Sequence, residues 1–312
     1  MAQATLTTAP PHRSLLADLS HNRAFLGILF MVPAACILLF FLTYPLGLGV
    51  WLGFTDARLN RPGFFIGFEN YVSLSGDPIF WLSVFNTLLY TTVASILKFA
   101  LGLWLALILN ENLPFKSFFR AVVLLPWVVP TVLSALAFWW IFDSQFSIIS
   151  WVLMKAGLIS SPINFLGDTT NARASVIAAN VWRGIPFVAI TLLAGLQTIS
   201  PSLQEAATLD GATPWQRFRH ITLPLLTPII AVVMTFSVLF TFTDFQLIWV
   251  LTRGGPLNAT HLMATLSFQR FSSGQLGEGA AIAVAMVPFL LAAILFSYFG
   301  LQRRKWQQGG DD

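Results

Sequence analysis

Long apolar segments are the feature that most limits how this chain can fold. Six of them are about as long as the ~20 helical residues needed to cross the ~30 Å hydrocarbon core of a membrane. Backbone N–H and C=O groups find no water in lipid, so each segment has to pair them internally, as a helix does. The sequence therefore predicts an all-α, polytopic integral membrane protein with six transmembrane helices. The segments cover residues 25–53, 80–109, 118–142, 174–197, 226–251 and 280–301.

The composition supports a membrane protein. Only 10% of the 312 residues are charged and 56% are hydrophobic, whereas a soluble domain carries about 25% charged residues. The formal net charge of +4 is explained by Lys and Arg in cytoplasmic loops. No basic run is interleaved with aromatic residues in a soluble segment, so we expect lipid and no nucleic acid as a partner. The single cysteine, Cys36, can form no intrachain disulfide.

The distribution of Lys and Arg predicts the orientation. An even number of spans puts both termini on one side, and cytoplasmic loops are enriched in these residues. With both termini in the cytoplasm, the inner segments hold Arg13, Arg23, Lys116, Arg120, Arg217, Arg219, Arg303, Arg304 and Lys305. The outer loops then hold Arg58, Arg61, Lys155, Arg173, Arg253 and Arg270, which are fewer and lie in longer loops. We therefore predict both termini to be cytoplasmic.

This orientation gives a simple domain division. Residues 1–24 are predicted to form a flexible N-terminal segment, and we expect no cleaved signal because residues 1–22 are too polar. Residues 25–301 form the transmembrane domain and residues 302–312 a cytoplasmic tail. The apolar stretch at 147–159 is too short to span and contains Lys155, so we expect a helix on the membrane surface or packed on the bundle.

Prolines fall inside several of the six segments. Proline removes a helical hydrogen bond and kinks the helix, which is tolerated in membranes where neighbouring groups satisfy the freed carbonyl. Kinked helices around a cavity suit a transporter better than a simple anchor. The prolines are Pro33, Pro45, Pro126, Pro130, Pro186 and Pro288.

The polar stretch EAATLDGATPWQRFRHITLP, residues 205–224, lies between the fourth and fifth apolar segments. Its pattern predicts two short helices. Ser202 is a candidate N-cap, with Glu205 completing a capping box, and Gly211 is placed to end the first helix. Thr213 is the expected cap of the second helix, with Pro214 at its first position. We call residues 198–225 the elbow, and we expect it to be stiff enough to transmit a push.

The elbow also carries a family resemblance. The spacing of its residues resembles the EAA loop of permease subunits of bacterial ABC importers; the matching residues are Glu205, Ala206, Ala207, Gly211, Ile221, Leu223 and Pro224. From about residue 25 onward the chain is similar to the carbohydrate branch, the maltose and glycerol-phosphate type permeases. That similarity lies in TYPLG at 43–47, GFENY at 67–71, LLPWVVP at 124–130 and LTRGGP at 251–256.

The resemblance implies a maltose-permease-like core in the bacterial inner membrane. It also implies a second related permease, two copies of an ATP-binding subunit and a periplasmic or extracellular solute-binding protein as partners. The coupling residues it implies, which dock in a groove of the ATPase, are Glu205, Ala206, Ala207, Leu209, Asp210 and Gly211. The dipeptide Gly-Lys of a phosphate-binding loop never occurs. We therefore expect no cofactor and no enzymatic activity in this chain, with ATP and Mg bound by the partner ATPase.

Ionisable residues inside predicted spans are costly and are functional candidates. Lys98, Arg183 and Asp244 are the three that stand out. On one helical face Asp244 follows Ser237 and Thr241 at i, i+4 and i+7. On another, Asn180, Arg183, Gly184 and Phe187 share a face. The resemblance places these two stripes where the maltose permease subunit contacts its sugar. Ser237 keeps the family residue and the other polar positions differ, which implies a sugar or sugar derivative other than maltose.

The residues leave alternatives open for these stripes. Ser237 and Thr241 are equally consistent with helix–helix packing, Arg183 and Asp244 with an ion pair between helices, and Lys98 with snorkelling or a contact between subunits. Arg183 is also a candidate for holding an acidic or anionic group of the solute.

Two other functional classes were weighed. A secondary transporter driven by ions or protons would use Asp244, Lys98 and Arg183 as a relay, although it has no need of the elbow. No His, Cys and carboxylate set has metal-ligand or catalytic spacing, so we expect neither a metal nor a catalytic site.

Overall fold

The computed structural model describes residues 23–112 and 114–306. Over these residues the chain is helical, and two isolated antiparallel bridges, Thr55–Phe65 and Arg58–Arg61, are its extended pairings. In chain order the α-helices are α1 (Arg23–Leu38), α2 (Tyr44–Gly53), α3 (Glu69–Ser75), α4 (Pro78–Asn110), α5 (Lys116–Val128), α6 (Thr131–Ile141), α7 (Ile148–Lys155), α8 (Thr169–Leu196), α9 (Pro201–Leu209), α10 (Pro214–Arg217), α11 (Leu223–Phe242), α12 (Gln246–Leu251), α13 (Met263–Ser272) and α14 (Leu276–Trp306).

Five helical segments of the described residues are long and apolar enough to cross a membrane. The predicted third segment is different: α5 and α6 meet at an angle of 89°. Pro130 explains the break, because it has no N–H and disfavours a helical conformation in Val129 before it. The kink predicted from Pro126 and Pro130 is therefore a sharp bend, and the described residues have a sixth span if the bent pair counts as one. The five segments are Leu26–Gly53, Pro78–Asn110, Thr169–Leu196, Pro214–Leu251 and Leu276–Phe299.

The chain divides into two compact units, and the first ends at Trp51. Its described part is an apolar helix in which a π-helical turn, Leu39–Thr43, joins α1 to α2. Tyr44 N–H donates to the Leu39 carbonyl, one residue further back than in an α-helix, just before Pro45. Such π turns accommodate a residue that cannot join the regular ladder. None of the side chains in the most apolar window of this span is buried, as expected for contact with lipid.

The second unit begins at Leu52 and is built around α4, α8 and α11. One apolar cluster joins the C-terminal part of α4 to α8 and α11, and includes Leu109, Leu192 and Leu226. A second cluster joins the N-terminal part of α4 to α6, α8 and α12, and includes Tyr90 and Ile248. Along α4, along α8, and along the run from α11 into α12, the polar residues singled out above lie between the residues of these two clusters.

The short apolar stretch after α6 forms the expected non-spanning helix. α7 runs from Ile148 to Lys155, and the Ser147 hydroxyl accepts a hydrogen bond from the Ser150 N–H at its start. The residues predicted as a flexible N-terminal segment, 1–24, lie almost wholly outside the described residues. α14 continues to Trp306, so the helix extends past the predicted start of the tail at residue 302.

Candidate functional site

The three long helices of the second unit bring Lys98 against α11. Its side chain is 4% exposed, and Nζ donates a hydrogen bond to Thr241 Oγ1 over 2.5 Å. The Thr241 hydroxyl in turn donates to the Ser237 carbonyl over 2.5 Å. The snorkelling predicted for Lys98 is therefore wrong, because its ammonium group is buried inside the bundle and already has a partner there.

Gly184 makes this position of Lys98 possible. A Cβ atom at residue 184 would lie 2.3 Å from Lys98 Cδ, far closer than two carbon atoms can approach. The aliphatic part of Lys98 thus crosses α8 at the one residue of this turn without a side chain. The predicted stripe contains Gly184 for a reason of packing that sequence alone did not reveal.

Asp244 lies in the unwound segment between α11 and α12. Its Oδ2 accepts hydrogen bonds from the Tyr90 hydroxyl over 2.7 Å and from Asn180 Nδ2 over 3.0 Å. Its Oδ1 accepts a longer bond of 3.4 Å from the Leu247 N–H, which places the carboxylate at the N-terminus of α12. All three donors are neutral, so no cation hydrogen-bonds to this carboxylate among the described residues.

Arg183 is partly exposed and forms no ion pair with a carboxylate of the described residues. Its buried Nε has no hydrogen-bond partner among them. The guanidinium carbon lies 5.9 Å from the centre of the Trp127 ring, a distance at which cation and ring attract each other. The alternative of a direct ion pair between Arg183 and Asp244 is therefore not formed in the described residues.

An aromatic group surrounds this guanidinium. Trp127 stacks on Phe187 with 5.0 Å between ring centres, and Phe240 lies edge-on to Phe187 at 6.2 Å. Trp127 and Phe240 are partly exposed, 36% and 51%, so their rings are accessible to a bound molecule. Only Phe187 was predicted as a site residue.

We call these residues the polar cluster: Tyr90, Lys98, Trp127, Asn180, Arg183, Phe187, Ser237, Phe240, Thr241 and Asp244. The sequence analysis missed Tyr90, Trp127 and Phe240. A third polar stripe was also overlooked: Thr91, Ser95 and Lys98 lie at i, i+4 and i+7 on one face of the apolar helix α4, which carries Tyr90 as well. The hydroxyls of Thr91, Ser95 and Ser237 are buried without a partner in the described residues. Donors, acceptors and ring faces together are the chemistry that binds a polyol.

The first arm of the elbow is α9, and it starts differently from the prediction. Pro201 occupies its first position, which suits a residue without an N–H. Ser202 therefore lies inside the helix, and its hydroxyl is 2.7 Å from that of Ser200. The predicted cap at Ser202 with Glu205 is wrong. The predicted end is confirmed, because Gly211 has φ +79°, a conformation that favours glycine.

The second arm of the elbow matches its prediction. Thr213 caps α10 in a capping box with Gln216, and Pro214 takes the first position. α10 then passes through a π-helical turn, Phe218–Thr222, directly into α11. The second arm and the fifth span are therefore one continuous helical rod.

Two side-chain contacts hold the arms together. Gln204 Nε2 donates to Thr222 Oγ1 over 3.1 Å, and Arg217 NH1 donates to Thr208 Oγ1 over 2.7 Å. Leu209 at the tip of α9 is 89% exposed. The other predicted coupling residues Glu205, Ala206, Asp210 and Gly211 are also exposed, and Ala207 is half-buried. The two arms of the elbow are thus held together by side-chain hydrogen bonds, and its apolar edge is exposed.

Comparison with known proteins identifies the family. Residues 98–307 match the model of binding-protein-dependent transport system inner membrane components, which is more than half of the chain. The protein belongs to this family. It is the permease component of an ABC importer, a multi-pass inner membrane protein whose ATP-binding site lies in a separate subunit. Membership excludes the alternative of an ion- or proton-coupled secondary transporter.

Permeases of named transport systems are similar in sequence to this chain over most of its length. The trehalose/maltose transport system permease protein MalF of Thermococcus litoralis is 36% identical over 93% of this chain and 99% of its own length. The sulfoquinovosyl glycerol transport system permease protein SmoG of Agrobacterium fabrum is 37% identical over 84% of this chain and 85% of its own. The family resemblance seen in the elbow is thereby confirmed.

A solved structure confirms the fold. A chain of the crystal structure of a bacterial ABC transporter that imports the acidic polysaccharide alginate matches with a TM-score of 0.79 and 25% identity. The match covers 93% of this chain and 98% of that chain. The same transporter has been crystallised with an alginate pentasaccharide-bound periplasmic protein, and that structure also matches, with a TM-score of 0.78. The roles of individual residues in solute binding and coupling stay predictions.

Proposed function

We propose that this permease carries a sugar or sugar derivative across the inner membrane and that the polar cluster is the site that the solute occupies on the way. The observation that supports this most directly is the aromatic group of Trp127, Phe187 and Phe240 beside hydrogen-bonding side chains. Aromatic faces cover the apolar side of a sugar ring, and amides, hydroxyls and charged groups satisfy its O–H groups. The named relatives carry trehalose or maltose, sulfoquinovosyl glycerol and alginate, all of them sugar-type solutes.

The position of the cluster supports a role in alternating access. It lies between two apolar clusters, in the middle of α4 and α8 and at the junction of α11 with α12. A solute bound there is shielded from both aqueous phases. Net import requires that the affinity of this site falls when it opens inward, because a ligand shifts only those states that it binds differently.

The elbow is the proposed route by which ATP hydrolysis reaches the cluster. Its exposed apolar edge, with Leu209 at the tip, fits a groove on the ATP-binding subunit. Glu205 and Asp210 flank this edge and suit basic groups on the rim of such a groove. Because α10 and α11 form one rod that carries Thr241 and ends beside Asp244, a displacement of the elbow moves both side chains directly.

The proposed function implies an orientation and a set of partners. The elbow and both termini face the cytoplasm, where two copies of an ATP-binding subunit dock. A second, related permease lies beside this one in the membrane, and a solute-binding protein delivers the solute on the outer face. The excess of Lys and Arg in the segments on the elbow side supports this orientation.

Trp127→Ala tests the solute site in the assembled importer. Aromatic stacking contributes about 0.5–1.5 kcal/mol, so we expect KM for solute-stimulated ATP hydrolysis to rise about 2- to 13-fold. Phe119→Ala, on the same helix α5 and 43% exposed, is the matched control and should leave KM unchanged. Equal KM values for the Trp127 variant and the wild type would remove the aromatic group from the proposed site.

A further inference from the structure

The charges of the polar cluster do not cancel. It contains two cations, Lys98 and Arg183, and one carboxylate, Asp244, so its formal net charge is +1. The hydrogen-bond partners of Lys98 and Asp244 are the neutral groups of Thr241, Tyr90, Asn180 and Leu247. No ion pair links the three ionised groups to any carboxylate or cation of the described residues.

An unbalanced charge between apolar layers of a membrane protein is unfavourable unless something neutralises it. Arginine stays protonated under all physiological conditions, whereas a buried lysine can lose its proton, so Arg183 is the cation of the cluster that always keeps its charge. An anion that enters the cluster would supply the ion-pair partner that Arg183 lacks among the described residues.

Arg183 is the residue placed to receive that group. It is partly exposed, whereas Lys98 is covered by α8 and α11. Its Nε is unpartnered, and its planar guanidinium lies over Trp127. A guanidinium presents parallel N–H donors that match the two oxygens of an oxyanion. A ligand held there would have its ring beside the faces of Trp127 and Phe187.

We propose that the solute is a sugar derivative with one singly charged oxyanion, a carboxylate or a sulfonate, which Arg183 binds while the sugar ring lies on Trp127 and Phe187. This inference rests on the proposed function of the polar cluster. With Lys98, Arg183 and Asp244 all ionised the formal net charge is +1, which a monoanion cancels. A phosphate monoester carries about −1.5 to −2 at neutral pH and would leave the cluster negative.

Identification of the natural solute tests the charge. The cognate solute-binding protein is purified from cells with its bound molecule, which is then released and analysed by anion-exchange chromatography and mass spectrometry. A sugar with one carboxylate or sulfonate is the expected result. A neutral or phosphorylated sugar would overturn the inference and leave the proposed function intact. A molecule without a sugar would overturn both.

Uptake of that molecule by the complete importer then tests Arg183. Arg183→Gln should lower uptake about 10- to 100-fold, the value of a charge-assisted hydrogen bond, and Arg183→Lys should retain more activity because it keeps the charge. Lys155→Gln removes an exposed cation of α7 and is the matched control. Basal ATP hydrolysis reports assembly of each variant. Wild-type uptake of an anionic solute by Arg183→Gln would overturn the role of Arg183.

Discussion

Gly184→Ala tests whether the polar cluster depends on the passage of Lys98 over α8. The added Cβ would lie 2.3 Å from Lys98 Cδ, against the roughly 3.5–4.0 Å of ordinary carbon contacts. The lysine side chain is flexible, so it can move aside, but it is buried and its ammonium group is fixed by the 2.5 Å bond to Thr241. Relief of the overlap therefore displaces Nζ from that hydroxyl.

Three effects set the size of the change. Alanine favours a helix over glycine by about 0.8–1.0 kcal/mol. Loss of a hydrogen bond to a charged group costs about 1.5–3 kcal/mol, and overpacking of a filled interior costs about 1–3 kcal/mol. The two costs exceed the gain, so we expect Gly184→Ala to destabilise the folded protein by about 2–5 kcal/mol. At about 2–4 °C per kcal/mol, Tm falls by about 4 °C or more.

The assay is thermal unfolding of the purified permease complex, with two matched variants. Gly49→Ala places a methyl group on a helix glycine with no atom within 4 Å of the new Cβ, and it should leave Tm unchanged or slightly raised. Lys98→Ala removes the side chain that the new methyl group would meet. In the Lys98→Ala background, Gly184→Ala should lose its cost and show only the gain in helix propensity of about 1 kcal/mol.

A double-mutant cycle makes the reasoning refutable. If Gly184→Ala lowers Tm equally with and without Lys98, the glycine is needed for some reason other than the space that Lys98 occupies. An unchanged Tm in the single variant would show that the lysine moves without loss and that its bond to Thr241 contributes little.

Two further predictions concern the elbow and the opposite end of the bundle. Leu209→Arg should abolish ATP-dependent uptake, while the free energy of unfolding changes by less than about 0.5 kcal/mol because Leu209 is on the surface. The control is Leu158→Arg, which changes another exposed leucine. Equal uptake by the two variants would contradict coupling through the tip of α9. His261 is 2% exposed, and burial, then the charge of Arg270, lowers its pKa to about 4. In the unfolded chain the pKa of His261 is near 6.5, so as pH falls the unfolded state takes up a proton before the folded state does. The contribution of His261 to the free energy of unfolding should therefore be full above pH 6.5 and fall by on the order of 3 kcal/mol as pH drops to 4. Thermal unfolding against pH should show this loss, with a flatter profile in His261→Gln; equal slopes would refute it.

Much of the backbone follows from local chemistry. Pro214 begins a helix and Gly211 ends one because each acts through its own φ angle and its own N–H. Pro130 breaks the third apolar segment for the same kind of reason, and its presence predicted a kink there, although hydropathy alone does not reveal how sharp the bend is. The error at Ser202 has a local cause too, since Pro201 competes for the first turn and is the better residue at that position.

The stripes on α8 and α11 were predicted because helical periodicity fixes which residues share a face. Periodicity does not say which face of one helix meets which face of another. Lys98 therefore looked like a residue at the edge of the bundle, and Trp127 like one of many aromatic side chains in a greasy segment. Their neighbours come from helices far along the chain, so no local pattern contained the information.

The sequence by itself determined an all-helical membrane protein of this importer family, because apolar length, helix caps and the EAA spacing are properties of consecutive residues. Only the tertiary structure decided how the buried charges are satisfied. Lys98 meets Thr241 across 143 residues of sequence and Asp244 meets Tyr90 across 154. These partners are set by how helices pack, and that packing leaves Arg183, like Lys98, without a carboxylate partner among the described residues.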